Sequence, residues 1–89
     1  MVWKIEFDPA AVRDLDRLDP QTARRILYFL SSRVATLDDP RSIGTPLTGS
    51  RWGEFWKYRV GDWRVIASVE DEALRILVLR VRHRSSVYR

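Results

Sequence analysis

The dipeptide Gly61-Asp62 stands between two alternating segments, residues 54–60 and 63–70. Glycine at the first position of a two-residue loop suits a type II′ turn, whose twist matches a β-hairpin. Such a loop leaves little freedom in pairing. Val60 must face Trp63, Arg59 must face Arg64 and Tyr58 must face Val65. Side chains alternate across a strand, so Lys57 shares the face of Arg59. One face then carries Trp56, Tyr58, Val60, Trp63, Val65, Ala67 and Val69. The other carries Phe55, Lys57, Arg59, Arg64, Ile66 and Ser68. The first is apolar and needs a cover.

Two helices supply that cover. Residues 2–7 alternate as a strand, and Asp8-Pro9 follows, an N-cap with proline at the first helical position. Ala11, Leu15 and Leu18 recur at helical spacing. Asp19-Pro20 repeats the start signal. Ala23, Ile26, Leu27, Leu30, Val34 and Leu37 then form an apolar stripe, with Arg24, Arg25, Ser31, Ser32 and Arg33 mostly on the wet side. Asp38-Asp39-Pro40 ends the helix. Residues 38–53 read as a loop, punctuated by Pro40, Gly44, Pro46, Gly49 and Gly53. Asp71-Glu72 reads as a second tight turn before a last strand over residues 73–82. The order is β-α-α-β-β-β, an α+β class: a helical hairpin packed on one face of a mainly antiparallel four-stranded sheet. At 89 residues the chain makes one domain, residues 1–89.

Composition removes several chemistries. There is no cysteine, so disulfides and Cys-based zinc or redox sites are excluded, and a reducing cytoplasm is the expected location. The start has neither an apolar signal region nor a cleavage site. No apolar run approaches the roughly 20 residues of a membrane span, so no membrane association is expected. One histidine cannot build a multi-His metal centre, and the acids are scattered or sit in turns, so no metal site and no cofactor are expected. A Gly-rich phosphate loop is absent. The positive charge is uneven. Residues 1–50 hold seven Lys/Arg and seven Asp/Glu, whereas residues 51–89 hold nine and five and carry the whole net +4. A one-sided basic field attracts polyanions.

Like charges facing across a strand pair weaken the sheet, so Arg59 against Arg64 with Lys57 alongside is locally the wrong choice. A phosphate between them reverses the sign. The alternative is that these arginines splay into water or pair with Glu70, Asp14 or Asp16. If Asp71-Glu72 is the second loop, Arg64 faces Leu79, and Val81 and His83 share that face. Arg80 and Arg82 then point to the helix side, and a single bulge returns them. RNA cleavage suits such a set, because the ribose 2′-OH is an internal nucleophile. The protein need only orient it, neutralise the phosphorane and move protons. Tyr88 or His83 can shuttle protons. Arginine stays protonated and is a poor base, so weak activity on free RNA is expected, with the substrate held strained by something else. Trp52 in the loop suits either packing or base stacking.

Leu47-Thr48-Gly49, the hairpin Trp56-Lys57-Tyr58-Arg59-Val60-Gly61-Asp62-Trp63-Arg64-Val65-Ile66 and the terminus Val81-Arg82-His83-Arg84-Ser85-Ser86-Val87-Tyr88 together resemble the RelE/ParE toxin superfamily, RelE-like branch. The resemblance covers nearly the whole chain. It implies the toxin of a type II toxin–antitoxin system, an mRNA endonuclease that cuts codons on the ribosome, inhibits translation and is silenced by a cognate antitoxin. Operator DNA is met only through the antitoxin complex. It also implies site roles. Arg64 and Arg82 hold the phosphate and aid the leaving group, Lys57 and Arg59 stabilise charge, and Tyr88 orients or stacks on the nucleotide. Arg84 competes with Arg82 for its place, and His83, Arg84 and Trp52 fall to RNA binding. Arg59 stands where several relatives have lysine, which removes a base. The C-terminal helix of some relatives is expected to be missing. A ParE-like gyrase poison without nuclease activity shares the fold, and so does an inert domain acting within an operator-bound complex.

Overall fold

The computed structural model describes residues 2–47 and 55–87. Strand β1 (Lys4–Phe7) leads into helix α1 (Pro9–Asp16) and helix α2 (Pro20–Phe29), which continues as a π-helical turn over Leu30–Val34. A 3-10 turn, Pro40–Ile43, precedes a two-residue strand β2 (Thr45–Pro46). Strands β3 (Phe55–Val60), β4 (Trp63–Glu70) and β5 (Arg75–His83) follow, and Arg84–Val87 forms a helical turn, α3.

Both helix starts are capped by aspartate. Asp8 Oδ2 accepts from the Ala10 amide at 2.9 Å. Asp19 Oδ2 accepts from the Thr22 amide at 3.0 Å, and the Thr22 hydroxyl donates to its Oδ1 at 2.6 Å. Proline occupies the first turn in each case, where its missing N–H costs nothing. The buried stripe of α2 is narrower than the periodicity suggests. Ile26, Leu30 and Val34, four residues apart, are fully buried, whereas Leu27 at the margin is 40% exposed.

The sheet is five-stranded and mixed, in the order β1-β5-β4-β3-β2. This corrects the four-stranded expectation in two places. β1 lies parallel to β5, pairing Lys4 with Arg75 through Phe7 with Val78. Thr45 and Pro46 add an edge strand to β3 inside the expected loop. Proline lacks a ladder donor and is tolerated at an edge, so the segment carries no strand signal of its own. The helices cover one face, burying Ala11, Ile26, Leu30 and Val34 against Tyr58, Val60, Val65, Ala67, Ile76, Val78 and Val81.

Tyr58 pins the segment before β3 to this core. Its hydroxyl donates to the Pro40 carbonyl at 2.8 Å. Burial pushes its pKa up to about 12. Its ring meets Phe29 edge-on at 6.5 Å. A Cβ at Gly44 would lie 3.1 Å from that ring, so the chain passes too close for a larger residue to fit easily. Arg41 then ties the 3-10 turn to the far end of the sheet, donating to Asp71 Oδ1 and Oδ2 at 3.1 and 2.5 Å and to the Val69 carbonyl at 3.2 Å.

Asp14 is the buried charge of the core. β1 stops pairing at Val78, which leaves the rest of that β5 edge without a strand partner. Asp14 Oδ2 supplies the acceptor, taking the Val81 amide at 2.9 Å and Arg80 Nε at 2.9 Å, while Oδ1 takes Arg80 Nη2 at 3.2 Å. Burial alone would raise its pKa. The Arg80 and Val81 hydrogen bonds, with the charges of Arg80 and Arg82, outweigh it and hold the carboxyl below the ordinary value.

Two outcomes follow. Tyr58→Phe leaves the Pro40 carbonyl without its donor and costs about 1–3 kcal/mol in urea unfolding. A depressed folded-state pKa gives Asp14 a stabilising contribution that is full above the unfolded value of about 3.9 and lost as pH falls through the folded one. Asp14→Asn therefore lowers Tm at neutral pH and flattens the acid limb of a Tm-against-pH curve.

Candidate functional site

The hairpin at Gly61-Asp62 has the register its loop length demands. Arg59 lies opposite Arg64, Tyr58 opposite Val65 and Val60 opposite Trp63. Gly61 takes φ +60°, the positive φ that a type II′ turn requires at its first position.

The second hairpin differs from the sequence expectation. Its turn spans residues 71–74, with Leu74 at φ 49°, so Glu70 pairs with Arg75 and β5 begins later. A bulge follows. Ala67 pairs with Val78 but Ile66 pairs with Arg80, so Leu79 is the extra residue. Past it, Arg64 faces Arg82, Val65 faces Val81 and Trp63 faces His83. Val81 returns to the core and is buried. Arg82 joins the outer face.

The result is a row of three arginines, Arg59, Arg64 and Arg82, on three adjacent strands. Strand spacing places their backbones over about 10 Å. Lys57 sits two residues from Arg59 on the same face and is half-buried. Arg64 Nη1 donates to the carbonyls of Gly61 at 2.9 Å and Trp63 at 3.0 Å. Its guanidinium is thereby held against the turn rather than free to swing.

Two of the carboxylates that could have neutralised this row, Asp14 and Glu70, are engaged elsewhere. Asp14 holds Arg80 at 2.9 Å. Glu70 binds Arg75, which also reaches Glu6 at 3.3 Å. Among the described residues, Arg59, Arg64 and Arg82 form no ion pair. Arg82 does act at longer range on Asp14, helping to depress its pKa.

The remaining sequence-derived positions divide. Arg84 is exposed and turned toward the hairpin. Its Nε lies 3.7 Å from Asp62 Oδ1, and its amide donates to the Asp62 carbonyl at 2.8 Å. It starts α3, the helical turn that the sequence reading omitted. His83 is a correction. The bulge moves it from the arginine face to that of Trp63, whose ring it meets edge-on at 5.3 Å. His83 Nδ1 lies 2.9 Å from Ser85 Oγ and accepts from the Ser85 amide at 3.3 Å. Trp52 and Tyr88 lie outside the described residues. One cation escaped the sequence reading. Arg25 of α2 reaches the hairpin turn, where a Cβ on Gly61 would lie 2.9 Å from its Nη1. No local pattern announces that helix-to-turn contact.

Chemically, the row offers permanent positive charge and fork-shaped donors to a phosphodiester. It offers no group that gains and loses a proton near neutrality. Among the described residues no three His, Cys, Asp or Glu side chains cluster to hold a metal ion, and no helix is long and apolar enough to cross a membrane.

Comparison with known proteins adds a context. The family described as the ParE toxin of type II toxin–antitoxin system, parDE, matches residues 5–88. Toxin RelG of Mycobacterium tuberculosis is 30% identical over 89 residues, covering 100% of this chain and 99% of that protein. The crystal structure of the toxin–antitoxin complex RelBE2 from Mycobacterium tuberculosis superposes with a TM-score of 0.85 at 26% identity, covering 97% of this chain and 95% of that one. The archaeal RelE–RelB complex from Pyrococcus horikoshii gives a TM-score of 0.69 at 25% identity, covering 98% and 100%.

The unneutralised row carries a measurable cost. Arg59→Gln relieves the cross-strand repulsion and raises Tm by a few degrees at low ionic strength. Salt screens the difference away. Thermal melts of both proteins across a salt series check this.

Proposed function

The chain belongs to the ParE toxin family of type II toxin–antitoxin systems, and on that footing we propose that this toxin is an mRNA endonuclease that cuts transcripts on the ribosome. The observation that supports it best is the row Arg59–Arg64–Arg82, left without ion-pair partners among the described residues while Arg75 and Arg80 are tied to carboxylates. An unpaired cationic row on a rigid sheet weakens the fold and is useful only to an anion.

In this reading the scissile phosphate lies across the row. The 2′-OH attacks phosphorus in line, a 2′,3′-cyclic phosphate forms and the 5′-oxygen leaves. Arg64 and Arg82 hold the non-bridging oxygens, and Lys57 and Arg59 stabilise the charge that builds on them. Tyr88 orients or stacks on the nucleotide. No base sits in the row, so free RNA is cleaved poorly. The ribosome must present the message already bent toward in-line geometry. A cognate antitoxin is the natural partner, since the similar RelBE2 and RelE–RelB structures are complexes with one. Operator DNA is then met through the antitoxin, and the working compartment is the cytoplasm.

The matched family carries the ParE name, and this favours a second reading, a gyrase poison that binds without cutting. Induced expression with primer extension on a translated mRNA, run beside a gyrase supercoiling assay, separates the two. In-frame cuts within codons are expected. Inhibited supercoiling with intact mRNA would overturn the nuclease. Arg64→Ala is expected to fold, relieve growth arrest and lower cleavage on ribosomes by roughly 10²–10³-fold. Full toxicity in that variant would refute the assignment of the site.

A further inference from the structure

Arg82 faces Arg64 only because of Leu79. In an unbroken ladder continuing from Ala67–Val78, Val81 would face Arg64 and Arg82 would face Trp63. That register puts Arg80 and Arg82 under the helices and Val81 into water. The bulge avoids this, but it leaves its extra residue unpaired and disrupts the ladder locally, so an external partner helps to hold it.

That partner is one side chain. Asp14, 9% exposed, grips both residues that follow Leu79: the Arg80 guanidinium through two bonds of 2.9 and 3.2 Å, and the Val81 amide at 2.9 Å. It does so where β1 has ended, the last contact of that strand's exit being the Asp8 amide on the Val78 carbonyl at 2.8 Å. Among the described residues, no other backbone hydrogen bond from α1 or β1 reaches this edge of β5 beyond Val78. We propose that Asp14 is a positioning residue for the anion site: by clamping Arg80 and Val81 it sets the bulge at Leu79 and so the alignment of Arg82 with Arg64. Arg80, in this account, is spent on structure and does not meet substrate. The functional half of the inference rests on the cleavage reading above, whereas the register half does not.

The test has two readouts. Backbone NOEs between residues 64 and 82 and exchange protection of the Val81 amide report the register. Single-turnover cleavage on translating ribosomes reports the alignment. Asp14→Ala is expected to keep a cooperative unfolding transition, lose those NOEs, expose the Val81 amide and slow cleavage by roughly 10²-fold. Asp14→Asn, which keeps an oxygen for Val81, restores part of each. Asp14→Ala/Arg82→Ala is expected to cut no more slowly than Arg82→Ala, since both remove one function. Multiplying effects, or intact NOEs in Asp14→Ala, would overturn the proposal. If Asp14→Ala does not fold, Arg80→Ala decides, because wild-type NOEs and rate in it refute the clamp. If Arg82→Ala cuts at the wild-type rate, the cleavage role of Arg82 fails, and the NOEs alone still decide the register.

Discussion

A single carboxylate on α1 reconciles two demands that the last strand cannot meet by itself. Val78 and Val81 both belong in the core, yet they are three residues apart, and a regular strand sends such positions to opposite faces. The bulge at Leu79 resolves the conflict, and Asp14 satisfies the backbone that the bulge and the end of β1 leave open. Burying a charge for this purpose is costly unless it is fully paired. Here it is, by a guanidinium fork and an amide. The geometry of the outer face is thus decided on the inner one.

The same economy governs the surface charge. Arg41, Arg75 and Arg80 each close a contact between elements distant in sequence, joining the 3-10 turn to the β4–β5 turn, β5 to β1 and β4, and β5 to α1. The sheet's remaining arginines, Arg59, Arg64 and Arg82, line up across three strands and form no ion pair among the described residues. Net charge alone conceals this division. Some of these arginines are architecture, and the others place positive charge across one face.

Much of this was legible because a two-residue loop fixes register. Arg59 opposite Arg64 needed only Gly61-Asp62 and the alternation on either side. Asp8-Pro9 and Asp19-Pro20 announced both helix starts by capping chemistry that is local. What escaped was non-local. Nothing in residues 2–7 says that β1 docks in parallel beside β5, and Thr45-Pro46 becomes a strand only because β3 offers it an edge. The bulge was foreseen as an option but not placed, since its anchor is 67 residues away in the chain. The side assigned to His83 failed for that reason, while Arg82 was rescued by it.

The character of the row also limits what it can recognise. Where guanidinium forks bind phosphate, the contacts position a nucleic acid without selecting its sequence. A face built from paired strands is stiff and pre-organised, which suits charge stabilisation but leaves little to close over a substrate. On the proposed reading, then, neither the choice of cleavage point nor the bending of the RNA can come from Arg59, Arg64 and Arg82. Both must be imposed by whatever presents the strand. An RNA seated codon by codon on a ribosome meets that requirement, and the absence of a titrating base in the row is tolerable only where the 2′-OH is already aligned. On that reading, weakness as a stand-alone catalyst and dependence on a presenting machine follow from one physical origin: permanent charge, rigidly placed, with no proton to give or take.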